Sequence, residues 1–417
     1  MRDLGTAEYS GIEQVRERFI RKARSFAFEL VDPSPIELLS TLEAKSGPAI
    51  REEIYHFEDK GGRDVALRFD FTVGLTRLVT SQQSLRLPAK FGSFGGVFRY
   101  DEPQKGRYRF FHQWNVEIFG RPGVESEAEV VEFASSLFGS LGLGDVEMRI
   151  SHRGLIESFI RKNHPSGPGA ADAALPQLLR MVDKAAKKPR DALLAEYKDV
   201  PRPLAEELLD LASTRGTPDE VGPAAGSLDS WDHVKQLWDS LEARSVPNVS
   251  VDLGIVRGLD YYSGAVFEAL DPRHGTGALA GGGRYDALAR AFGREDMGAA
   301  GMAGGVERTV LAMEARGLHA SPPAPVVSVL YTGDAVRGRA TTLASRLRAK
   351  DIPTAIDLAG RPLKKQMESA SASRFVIIVG PRELEENRVV LREMDSGTES
   401  GADIDELESS PEKFLHI

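Results

Sequence analysis

Four short stretches of this 417-residue chain hold residue types that could do chemistry. In "FRYDEPQKGRYRFFHQ", Phe98 to Gln113, the side chains of Arg99, Arg107 and Arg109 flank a Pro-Gln-Lys-Gly turn. Planar guanidinium groups make paired hydrogen bonds to phosphate oxygens, so arginines converging on a concave sheet suit a triphosphate. A solvated hairpin whose arginines pair with Asp101 and Glu102 fits the same residues. In "GGVERTVL", Arg308 opens a helix directly after a glycine-rich strand. Helix N-termini favour anions, and Gly301, Ala303, Gly304 and Gly305 let another group come close to the backbone. A tightly packed strand-helix joint with a salt-bridged arginine is the other reading.

The third stretch, "IVRGLDYYSGAVFE", sets Arg257 and Asp260 beside Tyr261 and Tyr262 in an otherwise apolar region. Buried tyrosine hydroxyls and a buried guanidinium need partners, which describes either a pocket wall that hydrogen-bonds a polar ligand or a set of structural pairs. In the fourth, "LRFDFTVGLTRLV", Asp70 and Thr72 alternate with apolar neighbours at a strand end. A carboxylate and a hydroxyl on one face can receive an ammonium group. Thr72 as the N-cap of the helix that follows is the alternative.

The elements that must position these residues are legible in the periodicity. Ile12, Val15, Phe19, Ala23, Phe26 and Leu30 recur at helical steps and predict a helix from Gly11 to Leu30. "EEIYHFED" and "DVALRFDF" flank Lys60-Gly61-Gly62-Arg63, a hairpin signal, and "GGVFRYD" and "YRFFHQWNVEIFG" flank the arginine-bearing turn. Short glycine-containing links imply antiparallel pairing. A helix is expected over 125–141, a strand at "VEMRISH", and an all-helical insertion over about 165–248. Strand texture returns at "VSVDLGIV" and continues through "GALAGGGRYDAL". After a Pro-rich linker at 318–325 the pattern alternates strand and helix from "VVSVLYTG" to "RFVIIVG", then ends in an acidic tail. Such alternation implies a small α/β domain with largely parallel strands.

Composition bounds the class. The chain has 53 basic and 62 acidic residues, a net charge of −9, and 41% hydrophobic residues, which describes a globular protein of two or three domains. It has no cysteine, which excludes disulfides, thiolate metal sites and a cysteine nucleophile. The eight histidines are scattered, with none paired at metal-ligand spacing, so no dedicated metal site is expected. No apolar run approaches the roughly 18 residues of a membrane span, and the N-terminus lacks a signal-peptide layout, so a cytoplasmic protein is expected.

In this order along the chain the stretches resemble the histidyl-tRNA synthetases, a family of class II aminoacyl-tRNA synthetases. "VDPSPIE", with Pro33, is similar to motif 1, "FRYDEPQKGRYRFFHQ" to motif 2 and "GMAGGVERTVL" to motif 3. "RGLDYYSG" with "GGGRYDAL" resembles the pair of stretches that sets the histidine enzymes apart from, for example, the proline enzymes. The chain departs from the usual pattern at Phe69, where proline is common, at Trp114 and Asn115, where small or acidic residues are common, and in a short tail.

The resemblance implies an α+β catalytic core built on an antiparallel sheet with flanking helices over 1–317, the helical insertion within it, and an anticodon-binding α/β domain over 326–417. It implies ligation of L-histidine to its tRNA through an adenylate, with ATP as substrate, magnesium accompanying the ATP, and a homodimer. Carried over residue by residue, Arg99, Arg257 and Arg308 are the catalytic arginines. Asp101 meets the adenine, and Arg107 joins Arg308 on the outer phosphates. Arg99 lies on the α-phosphate and is counted in both the ATP and the histidine sites, and Arg257 reaches the histidine carboxylate and the α-phosphate. Asp70, Thr72 and Gln113 receive the ammonium, and Glu117 and Tyr262, with Tyr261 beside them, read the imidazole. An alternative is the synthetase-like regulatory subunit of ATP phosphoribosyltransferase, which resembles the core but typically lacks the anticodon domain and an intact "RGLDYY". For tRNA, a local excess of Arg337, Arg339, Arg346, Arg348, Lys350, Arg361, Lys364 and Lys365 over Asp351 and Asp357 outweighs the negative total.

Overall fold

The computed structural model describes residues 2–82, 84–100, 108–120, 123–185, 187–256, 262–273, 277–318 and 324–416. The chain divides into two compact units, Met1–His319 and Ala320–Ile417.

The first unit is built on one sheet that, among the described residues, has nine strands. Its centre is antiparallel and runs in the order Ala89–Phe98, Phe110–Gly120, Gly298–Gly305, Ala278–Arg284, Ala265–Leu270 and Glu147–His152. The long central pair is in register from Ala89 opposite Phe119 to Phe98 opposite Phe110. Beyond Phe98 and Phe110 the Arg99 N–H donates to the Arg109 carbonyl at 2.8 Å, so the pairing continues one step further and holds the two arginines opposite each other. The Pro-Gln-Lys-Gly turn, Asp101 and Arg107 lie outside the described residues.

A helix, Thr6–Ser25, buries Ile12, Val15, Phe19 and Ala23 against this sheet's core. It starts before the expected Gly11 and stops well short of Leu30, which instead forms the two-residue strand Glu29–Leu30. The reason is local: Ala27 takes a left-handed φ of 56°, which ends the helix and turns the chain into the sheet edge. Phe19 meets Phe133 edge-on at 5.9 Å, and Trp114 packs against the same ring, giving an aromatic centre whose pairs contribute about 1 kcal/mol each.

The expected insertion is helical, with one correction. Arg215–Gly216 is a short strand that pairs antiparallel with Val249–Asp252, extending the main sheet. The helix Trp231–Ala243 packs on the helix Val124–Ser140, where His233 Nε2 stands 2.5 Å from Glu127 Oε2 and Arg244 pairs with Glu125 at 2.6 Å and Glu132 at 2.7 Å. Beside this contact His152 caps the helix Arg153–Asn163, its Nδ1 accepting from the Gly154 N–H at 3.0 Å.

Burial, His233 and Arg284 together push the His152 pKa down from 6.5 to about 4. The folded state therefore disfavours a proton that the unfolded chain binds below pH 6.5, so this group's stability is present above 6.5 and is lost as pH falls toward 4. The loss is about 2 kcal/mol by pH 5. His152→Asn keeps an N-cap acceptor but cannot titrate. We expect urea midpoints of this variant to fall less between pH 7 and 5 than those of the natural protein.

A small sheet in the order Ile36–Leu38, Asp64–Leu67, His56–Glu58 packs beside the helix Leu39–Ser46, and its hairpin pairs Glu58 with Asp64 around the glycines. Glu37 and Ala66 face inward, whereas Ile36, Leu38 and Phe57 are exposed at 48%, 47% and 46%.

The second unit has a five-stranded sheet in the order Thr354–Ile356, Val327–Tyr331, Phe375–Val379, Arg388–Glu393, Glu399–Asp403. The first three are parallel and the last two antiparallel, so the sheet is mixed. The helix Asp334–Arg348 covers it with Val336, Ala340, Leu343 and Leu347. The supposed acidic tail is structured: Val389, Leu391, Ala402, Ile404, Leu407 and Leu415 are buried in this unit's core, beneath an acidic exterior.

Candidate active site

Strand alternation builds the site. Along Phe110–Gly120, Trp114, Val116 and Ile118 enter the hydrophobic core, so Gln113, Asn115 and Glu117 point to the other face. All three are buried, at 3%, 0% and 1% exposure. Above them opens a cleft of about 320 Å³ lined by Asp70, Thr72, Arg99, Gln113, Glu117, Tyr262 and Arg308, among others.

At one end stands Arg99, whose Nε donates to the Phe69 carbonyl at 3.1 Å and whose Nη2 donates to Gln113 Oε1 at 3.3 Å. Its guanidinium also lies over the Phe111 ring at 5.1 Å. Arg308, in the first turn of the helix Val306–Glu314, donates to the Ala278 carbonyl at 3.0 Å. At the other end Glu117 is held from both sides. Its Oε1 accepts from Thr72 Oγ1 at 2.9 Å and from Asn115 Nδ2 at 3.1 Å, and its Oε2 accepts from the Tyr285 hydroxyl. A carboxylate has lone pairs for all of these donors and for one more.

The glycine-rich strand makes this possible. Gly301 stands directly opposite Glu117, and a Cβ there would fall 1.5 Å from Glu117 Oε2. Gly304 likewise stands opposite Trp114, leaving no room for a Cβ beside the indole. These glycines are therefore required by side chains of the neighbouring strand.

Thr72 is the first residue of the helix Thr72–Thr80, not its cap: the cap position is Phe71, and the Thr72 hydroxyl turns to Glu117. Asp70 meets the helix end instead, with Oδ1 3.4 Å from the Val73 N–H. Asp70 lies in the turn after the strand Asp64–Leu67 rather than in the strand. Arg109 lies over the Tyr100 ring at 4.4 Å and does not line the cleft. Arg257, Asp101, Arg107 and Tyr261 lie outside the described residues. Among the described residues no group of three His, Cys, Asp or Glu side chains could hold a metal ion.

Comparison with known sequences gives this geometry a lineage. A sequence model of the histidyl-tRNA synthetase family matches residues 1–309, and one of an anticodon-binding domain matches 326–410. A histidine–tRNA ligase of Pyrococcus furiosus is 37% identical over 410 residues, covering 95% of this chain and 92% of that protein. The chain belongs to the histidyl-tRNA synthetase family. A histidine–tRNA ligase of Thermococcus kodakarensis is 34% identical over 433 residues, covering all of this chain and 97% of the other. The fold of a histidyl-tRNA synthetase from Nostoc superposes with a TM-score of 0.83 at 21% identity, over 99% of this chain and 97% of that one. The names of the sequence relatives do not favour a regulatory subunit.

Three residues of this synthetase's site were not singled out as site residues from the sequence. Asn115 stood out there only as a departure from the family pattern, although three polar residues at a period of two on an apolar strand are a signal. Tyr285, in "GGGRYDAL", reaches Glu117 from the far side. Glu307, beside Arg308, accepts the His112 N–H with both oxygens at 2.9 Å and faces His112 Nδ1 at 3.0 Å. It thereby fixes the start of the motif 3 helix to the motif 2 strand.

Proposed function

We propose that the cleft activates L-histidine with ATP and passes it to the 3′ end of its tRNA. A carboxylate oxygen of histidine attacks the α-phosphorus, forming the acyl phosphate bond as the bond to the β-phosphate oxygen breaks and pyrophosphate leaves. The tRNA ribose hydroxyl then attacks the carbonyl carbon, and AMP leaves. The attacking carboxylate is already ionised at neutral pH, so the first step needs positioning and charge compensation rather than a general base. Arg99 and Arg308, with Arg257 and Arg107, are assigned that compensation. Magnesium enters with ATP as its phosphate complex.

The observation that carries the reading is the buried polar strip of Gln113, Asn115 and Glu117 with Arg99 at one end and Thr72 and Tyr285 at the other. Neutral imidazole offers one donor and one acceptor, and Glu117 with Tyr262 is suited to read them. Asp101 is assigned to the adenine, Asp70 and Thr72 to the ammonium and Tyr261 to the imidazole side. A pocket of paired polar groups rejects apolar isosteres because its own groups would be left unpaired, so no editing domain is needed. Charging of an unfractionated tRNA pool, followed by sequencing of the esterified tRNA, tests the whole reaction. Histidine tRNA alone is the expected product, and its absence would overturn the reading.

We assign residues 1–317 to catalysis, 318–325 to the connection and 326–417 to tRNA binding. Within the last, Arg346 and Lys364 are exposed and make no ion pair among the described residues, so they are suited to phosphates. The working form is a cytoplasmic homodimer joined through Ile36, Leu38 and Phe57, an exposed apolar face of a kind that soluble monomers rarely leave open. Phe57→Glu is expected to shift sedimentation from dimer to monomer. An unchanged dimer would place the interface elsewhere.

A further inference from the structure

Asn115 is fully buried beneath the cleft, between Gln113 and Glu117 on the same strand. Its Nδ2 donates to Glu117 Oε1 at 3.1 Å and to Thr72 Oγ1 at 3.3 Å, while its Oδ1 accepts from Gln113 Nε2 at 2.5 Å. Gln113 Oε1 accepts in turn from Arg99 Nη2 at 3.3 Å. The two ends fix the direction of this chain, because a guanidinium can only donate and a carboxylate can only accept. Both amides between them must therefore turn their oxygens toward Arg99 and their NH₂ groups toward Glu117.

We propose that Asn115 is a positioning residue for histidine recognition, holding the Gln113 amide and the Glu117 carboxylate in the orientations that receive the amino acid. The inference rests on the reading of the cleft as a histidine and ATP site. Only an amide of this length offers a donor and an acceptor on one planar group at this spacing. Asn115→Asp keeps the shape, loses the donor and sets a second carboxylate against Glu117. Asn115→Ala removes all three contacts and leaves Gln113 free to turn over. A residue that served packing alone would tolerate the isosteric aspartate better than the cavity left by alanine. The hydrogen-bond chain requires the reverse order.

The test is histidine-dependent ATP-pyrophosphate exchange by the full-length variants, with KM measured separately for histidine and ATP alongside melting temperature. Histidine KM is expected to rise about tenfold in Asn115→Ala and about thirtyfold in Asn115→Asp, while ATP KM stays within about twofold. A histidine KM within about twofold of the natural protein in Asn115→Asp, or a larger rise in Asn115→Ala than in Asn115→Asp, overturns the assignment. Should Asn115→Asp not fold, Asn115→Ser supplies a donor to Glu117 but cannot span to Gln113. It is expected to raise histidine KM about fivefold, and an unchanged KM again overturns the role. Absence of exchange in the natural protein would instead overturn the reading of the cleft itself, so the two failures are distinct.

Discussion

Arg99→Ala is expected to lower the rate of adenylate formation about a thousandfold, or about 4 kcal/mol of transition-state stabilisation. The magnitude follows from where the guanidinium stands. Its contacts to the Phe69 carbonyl and Gln113 Oε1 fix its plane without neutralising its charge, and Phe111 supports one side. On the proposed reading, a prepositioned charge in a partly enclosed cleft would act on the α-phosphate at no cost in reorganisation. Lysine should not rescue, because a single ammonium cannot hold both contacts and still present a second N–H edge. Single-turnover formation of labelled adenylate measures the step. A loss smaller than about tenfold would remove Arg99 from the phosphate site.

Glu117→Gln is expected to lower kcat/KM for histidine about a thousandfold, with ATP KM within about threefold. The substitution changes one oxygen to an NH₂ in a site where Thr72, Asn115 and Tyr285 all donate. Either the Asn115 amide then faces the new NH₂, or a hydroxyl of Thr72 or Tyr285 must turn to accept from it and its own proton loses this acceptor in a buried place, at a cost of about 1–3 kcal/mol. The acceptor assigned to the imidazole N–H is weakened as well. Gly301 offers no space for the amide to move into, since even a Cβ would overlap the carboxylate. Equal losses for histidine and ATP would show that the variant disturbs the fold rather than the imidazole subsite.

The core of the fold is legible in the sequence wherever alternation and turn chemistry agree. The hairpin around Gly61 and Gly62 combines strand-like runs with a short turn, and the strands Ala89–Phe98 and Phe110–Gly120 pair antiparallel as their sequences predict. The misread elements are those decided by single backbone torsions or by distant partners. Nothing in the residue type announces the left-handed Ala27 that ends the first helix. Arg215–Gly216 becomes a strand only because Val249–Asp252 lies beside it. In the C-terminal stretch, the buried Val389 and Leu391 belong to a three-residue apolar run bounded by Arg388, Arg392 and Glu393, and the charges around so short a run resemble a solvated tail.

The site divides in the same way. Residue chemistry suggested arginines for phosphate and tyrosines for a polar ligand, and the resemblance gave them roles. The hydrogen-bond chain from Arg99 to Glu117 depends on cross-strand register and on a glycine opposite a carboxylate, neither of which a single sequence displays. Thr72 illustrates the limit: its position before a helical run suggests a cap, and only the tertiary fold turns its hydroxyl to Glu117.

The most direct measurement is ATP-pyrophosphate exchange by the purified protein with each of the twenty amino acids in turn. The account predicts exchange with histidine and none above background with the others. Exchange with no amino acid, or with proline but not histidine, would contradict it.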